Sequence, residues 1–131
     1  MKQYFMLGVG MIAGATLGVG AITALHAQAK PPAYLVVEIN KITDAEGFKV
    51  VTQRPTGGAD AAKEFGGRYI ARGGKITALD GSEPPARFIA YEFDSVDNAK
   101  AFNNSEYSKK VSAIRNKTTE ARAFIVEGLP R

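Results

Sequence analysis

The chemistry open to this chain is bounded first by the reactive residues it lacks. Its 131 residues hold no cysteine and one histidine, and that histidine, His26, falls in an apolar N-terminal run with the form of an export leader. With no His or Cys downstream, Ser-His-Asp and Cys-His catalysis and the usual zinc sites are excluded. Carboxylates, phenols, Lys, Arg and Ser/Thr remain, or an oxygen-ligated metal; no metal site and no cofactor are expected. One set of such residues converges if the strands pair as their order requires. Tyr34, Arg68 and Glu92, with Glu127 as a further neighbour, gather at one end of a sheet. At the other end Glu38 meets Phe88 and Ala123, with Arg87 and Arg122 nearby. A phenol, a carboxylate and a guanidinium in a partly apolar cavity can bind a small polar or acidic ligand. They can also hold a carboxylate whose raised pKa suits proton transfer, with Glu92 or Glu38 as the base. Tyr69 adds a second phenol, and Arg72 and Lys75 flank Gly73-Gly74 and can clasp an anion. Each member also has a plainer role open to it. Glu92 and Arg68 suit a cross-strand ion pair, the tyrosines suit a core or interface with the hydroxyl at an edge, and Arg72 and Lys75 suit solvated charge beside a bulge.

The elements that must hold these residues begin after the leader. Met1-Lys2-Gln3 is a short positive start, Tyr4 to Leu25 is uncharged and apolar, and Ala27-Gln28-Ala29 has the small-x-small form of a signal peptidase site. Cleavage after Ala29 is expected, leaving a periplasmic or secreted protein with no membrane attachment. The alternative is an uncleaved N-terminal anchor, since about 20 apolar residues span a bilayer and Gly10, Gly14 and Gly18 offer a small-residue packing face. Lys30-Pro31-Pro32 is an extended linker, and residues 33–128 form one domain. Cleavage removes only Lys2 of 17 Lys and Arg, so 16 stand against 13 Asp and Glu, a net charge of +3. The signs are interspersed and no basic run carries aromatics, so nucleic-acid binding is not expected. An exported domain of this size without disulfides is held by its core, by dimerisation or by both.

Ala33 to Ile39 is rich in β-branched and aromatic residues and reads as a strand, with Leu35, Val37 and Ile39 on one apolar face. Thr43-Asp44-Ala45-Glu46 has capping-box spacing, so a helix is expected to start at Thr43 and to break at Arg54-Pro55. A second helical stretch runs from Ala59 to Phe65 and stops at Gly66-Gly67. Arg68 to Arg72 is a strand that continues as Lys75 to Leu79 across a bulge at Gly73-Gly74, with the reversal at Asp80 to Ala86. Arg87 to Phe93 is the third strand. Ser95 caps a helix with Val96, Ala99 and Phe102 as its apolar stripe; Asn103-Asn104 interrupts it, and Tyr107, Val111 and Ile114 carry the stripe on. Arg122 to Glu127 is the last strand.

This order, β-α-β-β-α-β, predicts an α+β fold: a ferredoxin-like antiparallel sheet in the spatial order 4-1-3-2 with helices on one face. The other face, carrying Tyr34, Val36, Phe88, Ala90 and Ile125, is too apolar to stay in water, and a second copy of the chain is its most economical cover. Three segments also resemble a known family. Gly66-Gly67-Arg68-Tyr69-Ile70-Ala71-Arg72-Gly73-Gly74-Lys75, then Arg87 to Ser95 ending in Glu92-Phe93-Asp94-Ser95, then Asn104-Ser105-Glu106-Tyr107, look like the family named domain of unknown function 1330, over about Ala33 to Gly128. The resemblance implies a dimeric α/β barrel in which two sheets pack face to face, and it implies no activity. Related barrels include cofactor-independent monooxygenases, isomerase-like enzymes and haem enzymes, so the fold is a poor guide to chemistry.

Two functions follow as expectations. One is an exported homodimer that binds a small molecule without turnover, with Tyr34, Arg68, Tyr69, Arg72 and Glu92 as ligand-binding residues. The other is a cofactor-independent enzyme, of proton-transfer or monooxygenase type, acting on an aromatic or acidic metabolite. In it Glu92 or Glu38 is the base and Tyr34 or Arg68 orients the substrate.

Overall fold

The computed structural model describes residues 30–53 and 57–131, so the leader, its Ala27 and Ala29 and the Arg54-Pro55 break lie outside the described residues. Strand β1 (Ala33–Ile42) opens the domain, and its alternation places Leu35, Val37 and Ile39 in the core. Pro32, read as linker, is already part of the domain: it is buried and its carbonyl accepts the Gly128 N–H at 2.7 Å.

Helix α1 (Ala45–Thr52) is capped by Asp44 rather than Thr43, with the Asp44 carboxylate accepting from the Gly47 N–H at 3.1 Å. The capping box does not form. The N–H groups of Thr43 and Asp44 donate instead to the Thr118 carbonyl, and Glu46 pairs with Lys49 on the exposed side. Helix α2 (Gly57–Lys63) starts two residues before the expected Ala59. The chain then turns at Gly66, whose φ of 71° is the left-handed terminus that glycine supplies most cheaply.

Strand β2 (Gly67–Arg72) pairs with β3 (Arg87–Phe93). The expected extension through Lys75 to Leu79 is absent. Gly73, at φ 63°, donates a last hydrogen bond to the Phe88 carbonyl at 3.2 Å and turns the backbone out of the sheet, so residues 73–86 form an irregular connection. The irregularity in strand pairing sits earlier, between Tyr69 and Ala71. Helix α3 (Val96–Asn103) is capped by Ser95, as expected, and helix α4 (Glu106–Thr118) by Ser105. Strand β4 (Thr119–Glu127) begins three residues before Arg122, because the Thr119 hydroxyl caps the Arg115 carbonyl at 2.6 Å and the backbone passes from helix to strand with no loop.

The sheet order is β4-β1-β3-β2 with every neighbour antiparallel, the ferredoxin-like arrangement read from its β4 edge, with each helical half split in two. Register sets the faces. Leu35 lies opposite Tyr91 and Ile125, and Tyr91 opposite Tyr69, so Ile125 belongs to the helix face, where it packs on the core. Phe124 and Val126, opposite Val36 and Tyr34, take its place on the open face. The core has two centres: Leu35, Tyr91, Phe93, Ala99 and Phe102 form one, and Val37, Ile39 and Phe48 the other. Phe93 and Phe102 are 1% and 2% exposed, a burial that stabilises the fold by roughly 2–3 kcal/mol for each ring.

Candidate functional site

On the open face the expected cluster forms as a set of ion pairs. Tyr34 lies opposite Glu92, and Glu92 opposite Arg68; Arg68 Nη2 is 3.1 Å from Glu92 Oε1. At the other end Glu38 lies opposite Phe88 and Arg122, and Arg122 Nε donates to its carboxylate. Two expected placements are corrected by the register: Glu127 lies opposite Ala33 and Ala123 opposite Val37, each one residue out of step and so on the helix face. Arg87 is at the Glu38 end, opposite Ile39 on the helix face. Arg72 and Lys75 do not form a clasp. The turn at Gly73 separates them, so Arg72 lines a cavity on the helix face while Lys75 joins Glu38, Ile76, Pro85 and Phe88 around a more open groove of about 380 Å³ on the other face.

The cavity on the helix face measures about 220 Å³ and is bordered by both core centres. Apolar side chains wall much of it: Val37 and Ile39 from β1, Ile89 from β3, Phe48 and Val51 from α1 and Val111 from α4. Its polar groups are phenols, guanidiniums, small hydroxyls and the Asn103 amide. The Tyr69 and Tyr91 rings stack at 4.4 Å, and Tyr91 Oη donates to Tyr69 Oη at 2.9 Å. The Arg72 guanidinium lies over the Tyr69 ring at 4.8 Å, a cation–π contact that anchors the outer side of the stack. Gly58 of α2 closes over the hydroxyls. A β-carbon there would lie 2.1 Å from Tyr69 Oη and 2.8 Å from Tyr107 Oη, so the three phenols share one neighbourhood that only a glycine can overlie.

Burial, and then the hydrogen bond to Tyr69, push the Tyr91 phenol well above the usual tyrosine range, because an anion there would be stripped of water. Tyr91 is therefore a neutral hydrogen-bonding group across the physiological range. Arg115 is half-buried beside it. Burial pulls its guanidinium below the usual value and the nearby Tyr91 opposes this; arginine still keeps its charge at neutral pH. Arg115 Nη2 donates to the Ser112 hydroxyl at 3.3 Å, and its buried Nε has no hydrogen-bond partner.

Of the residues expected to bind a ligand, Tyr69 and Arg72 line this cavity, whereas Tyr34, Arg68 and Glu92 sit together on the opposite face of the same sheet. Tyr91, Tyr107 and Arg115 were not anticipated. One signal for them lies in α4: Tyr107, Val111 and Arg115 follow at four-residue spacing on a single helix face, so a cation continues an apolar stripe, and a long charged side chain on a core-facing stripe calls for a reason.

The profile of domain of unknown function 1330 (DUF1330) matches residues 32–129. A protein of unknown function from Rhodopseudomonas palustris superposes with a TM-score of 0.59 at 13% identity, covering 85% of this chain and 94% of its own. A dimeric protein of unknown function with a ferredoxin-like fold from Bacteroides fragilis gives 0.48 at 20% identity, covering 73% and 95%. A cofactor-independent oxygenase from Streptomyces nogalater gives 0.48 at 9% identity, covering 77% and 96%. Likeness at these identities speaks for fold alone. No curated protein matches the chain. The profile match runs from Pro32 to Leu129, through every strand and helix described above, and the chain belongs to the domain of unknown function 1330 family.

Proposed function

We propose that the protein is an exported homodimer that binds a small molecule in the cavity between its sheet and helices, without turnover. The observation that carries this reading is the cavity: about 220 Å³ of space with apolar walls and a few convergent phenol and guanidinium groups, the common form of a small-molecule site. The enzyme alternative gains no base from this geometry. Glu38 and Glu92 are held in ion pairs on the opposite face, no Asp or Glu lines the cavity, and the Tyr91 phenol releases its proton only far above neutrality. Export rests on the leader pattern of residues 1–29. Dimerisation is supported by the open face, where Phe124 and Val126 are 39% and 47% exposed beside the half-buried Tyr34 and Phe88. A twofold partner covers such a patch with its own copy.

The test is a thermal-shift screen of the processed protein against a library of small metabolites, in which a ligand at a hundred times its dissociation constant adds roughly 2.7 kcal/mol. Hits are expected to lose their effect when Val111→Trp fills the cavity and to keep it in Tyr34→Phe and Glu92→Gln. The opposite pattern moves the site to the open face and ends this reading. Sedimentation at micromolar concentration reads the oligomer separately, and a well-ordered single subunit contradicts the dimer.

A further inference from the structure

We infer that the cavity takes an organic anion about the size of one substituted ring, with its acid group against Arg115 and the tyrosine hydroxyls and its body against the apolar wall. This rests on the binding reading above and adds the chemical class of the ligand. The charge of the lining carries it. Three arginines (Arg72, Arg87 and Arg115) and three tyrosines line the cavity, and not one of the chain's 13 Asp and Glu does.

Arg115 is the most demanding of these. It is half-buried, its described hydrogen bond goes to a neutral serine hydroxyl, and its Nε is buried with no partner. Removing a cation from water without a counter-charge is costly, and the remedy a guanidinium fits best is a carboxylate, which accepts two parallel N–H bonds. Elsewhere the fold supplies that remedy itself, giving Arg68 to Glu92 and Arg122 to Glu38. Tyr69 and Tyr91 share a single hydrogen bond between two hydroxyls, so one phenol proton remains for an acceptor oxygen, whichever way the shared bond points.

Size and shape limit the rest of the ligand. An apolar cavity of about 150 Å³ accepts benzene, so about 220 Å³ accommodates one ring with an acid substituent. Val37, Ile39, Phe48, Val51 and Ile89 have nothing to offer a bare inorganic anion, which would leave that wall unfilled.

The experiment is isothermal titration of the processed protein with benzoate and with benzamide, which share a shape and differ in charge, repeated on Arg115→Gln and Arg115→Lys. Benzoate is expected to bind at least about tenfold more tightly than benzamide, the gain typical of a hydrogen bond to a charged group. Arg115→Gln should bring the two together, and Arg115→Lys should keep most of the preference; circular dichroism establishes that each variant is folded. If Arg115→Gln does not fold, the wild-type pair and Arg115→Lys still decide. Benzamide binding as well as benzoate to the wild type overturns the inference and leaves the cavity reading standing. Binding of neither also overturns it, and the library screen with Val111→Trp then decides the fate of the cavity reading by itself.

Discussion

The two faces of one sheet handle charge in opposite ways. On the open face β1, β2, β3 and β4 each contribute a charged residue, and all four are joined in pairs, Arg68 with Glu92 and Arg122 with Glu38. Around the cavity on the helix face, one residue along the same strands, the ionisable groups are Tyr69, Arg72, Arg87 and Tyr91, joined by Tyr107 and Arg115 from α4, with no carboxylate in the lining. Alternation along a strand separates these two sets by a single residue, yet it places one where it can satisfy itself and the other around an empty volume. A charge that already has its partner has little left to give a ligand. Arg115, half-buried beside the cavity and with no acidic partner among the described residues, has more of its interaction energy still available.

The difference can be tested for stability first. Phe93→Ala on the helix face removes a ring that is 1% exposed and should cost about 3–5 kcal/mol in urea unfolding, as large core truncations do; a cost below about 1 kcal/mol would mean that the helices do not pack as described. Gly58→Ala comes next. The added carbon meets Tyr69 Oη at 2.1 Å, so the tyrosine stack must shift, with an expected loss of about 1–3 kcal/mol and weaker ligand binding, read by the same melts and by titration. A third and smaller effect is the alkaline limb of stability. Tyr91 has its folded pKa raised above the ordinary value of about 10, so its contribution is complete below pH 10 and is lost as pH rises toward the folded value. Tyr91→Phe should flatten that decline in melts taken between about pH 9 and 11, and an unchanged slope would place the phenol in water. The smallest effect belongs to the open face. Arg68→Ala removes a side chain that is 70% exposed and should cost no more than about 1 kcal/mol while leaving ligand binding unchanged.

Much of this arrangement was legible from local pattern. The element order dictated the sheet, the alternation of Leu35, Val37 and Ile39 identified the buried face of β1, and antiparallel pairing placed Tyr34, Glu92 and Arg68 side by side, because register follows once one face must be apolar. Competition between adjacent residues was harder to see. Asp44 and Thr43 are both good caps, and Asp44 takes the role: its carboxylate accepts from the Gly47 N–H, while the N–H groups of both residues donate to the Thr118 carbonyl. Lys75 to Leu79 has the composition of a strand but no neighbour to pair with after Gly73 turns away, and Leu79 is left 93% exposed. Ile125 falls on the helix face because β4 pairs it with Leu35, a register that the local pattern of the strand does not anchor. The cavity was the least legible part. A void is set by how far helices stand from a sheet, a distance that no single segment encodes, so Tyr91 from β3 and Tyr107 and Arg115 from α4 form a group only when these two elements are brought together.

The central claim is that ligand is received on the helix face by Arg115, which has no acidic partner among the described residues. The most direct measurement is the benzoate-induced rise in melting temperature in two variants compared side by side, Arg115→Gln and Glu92→Gln. The account predicts that the rise disappears in Arg115→Gln and persists in Glu92→Gln. A rise that persists in Arg115→Gln and disappears in Glu92→Gln would place the site among the ion pairs of the open face and contradict it.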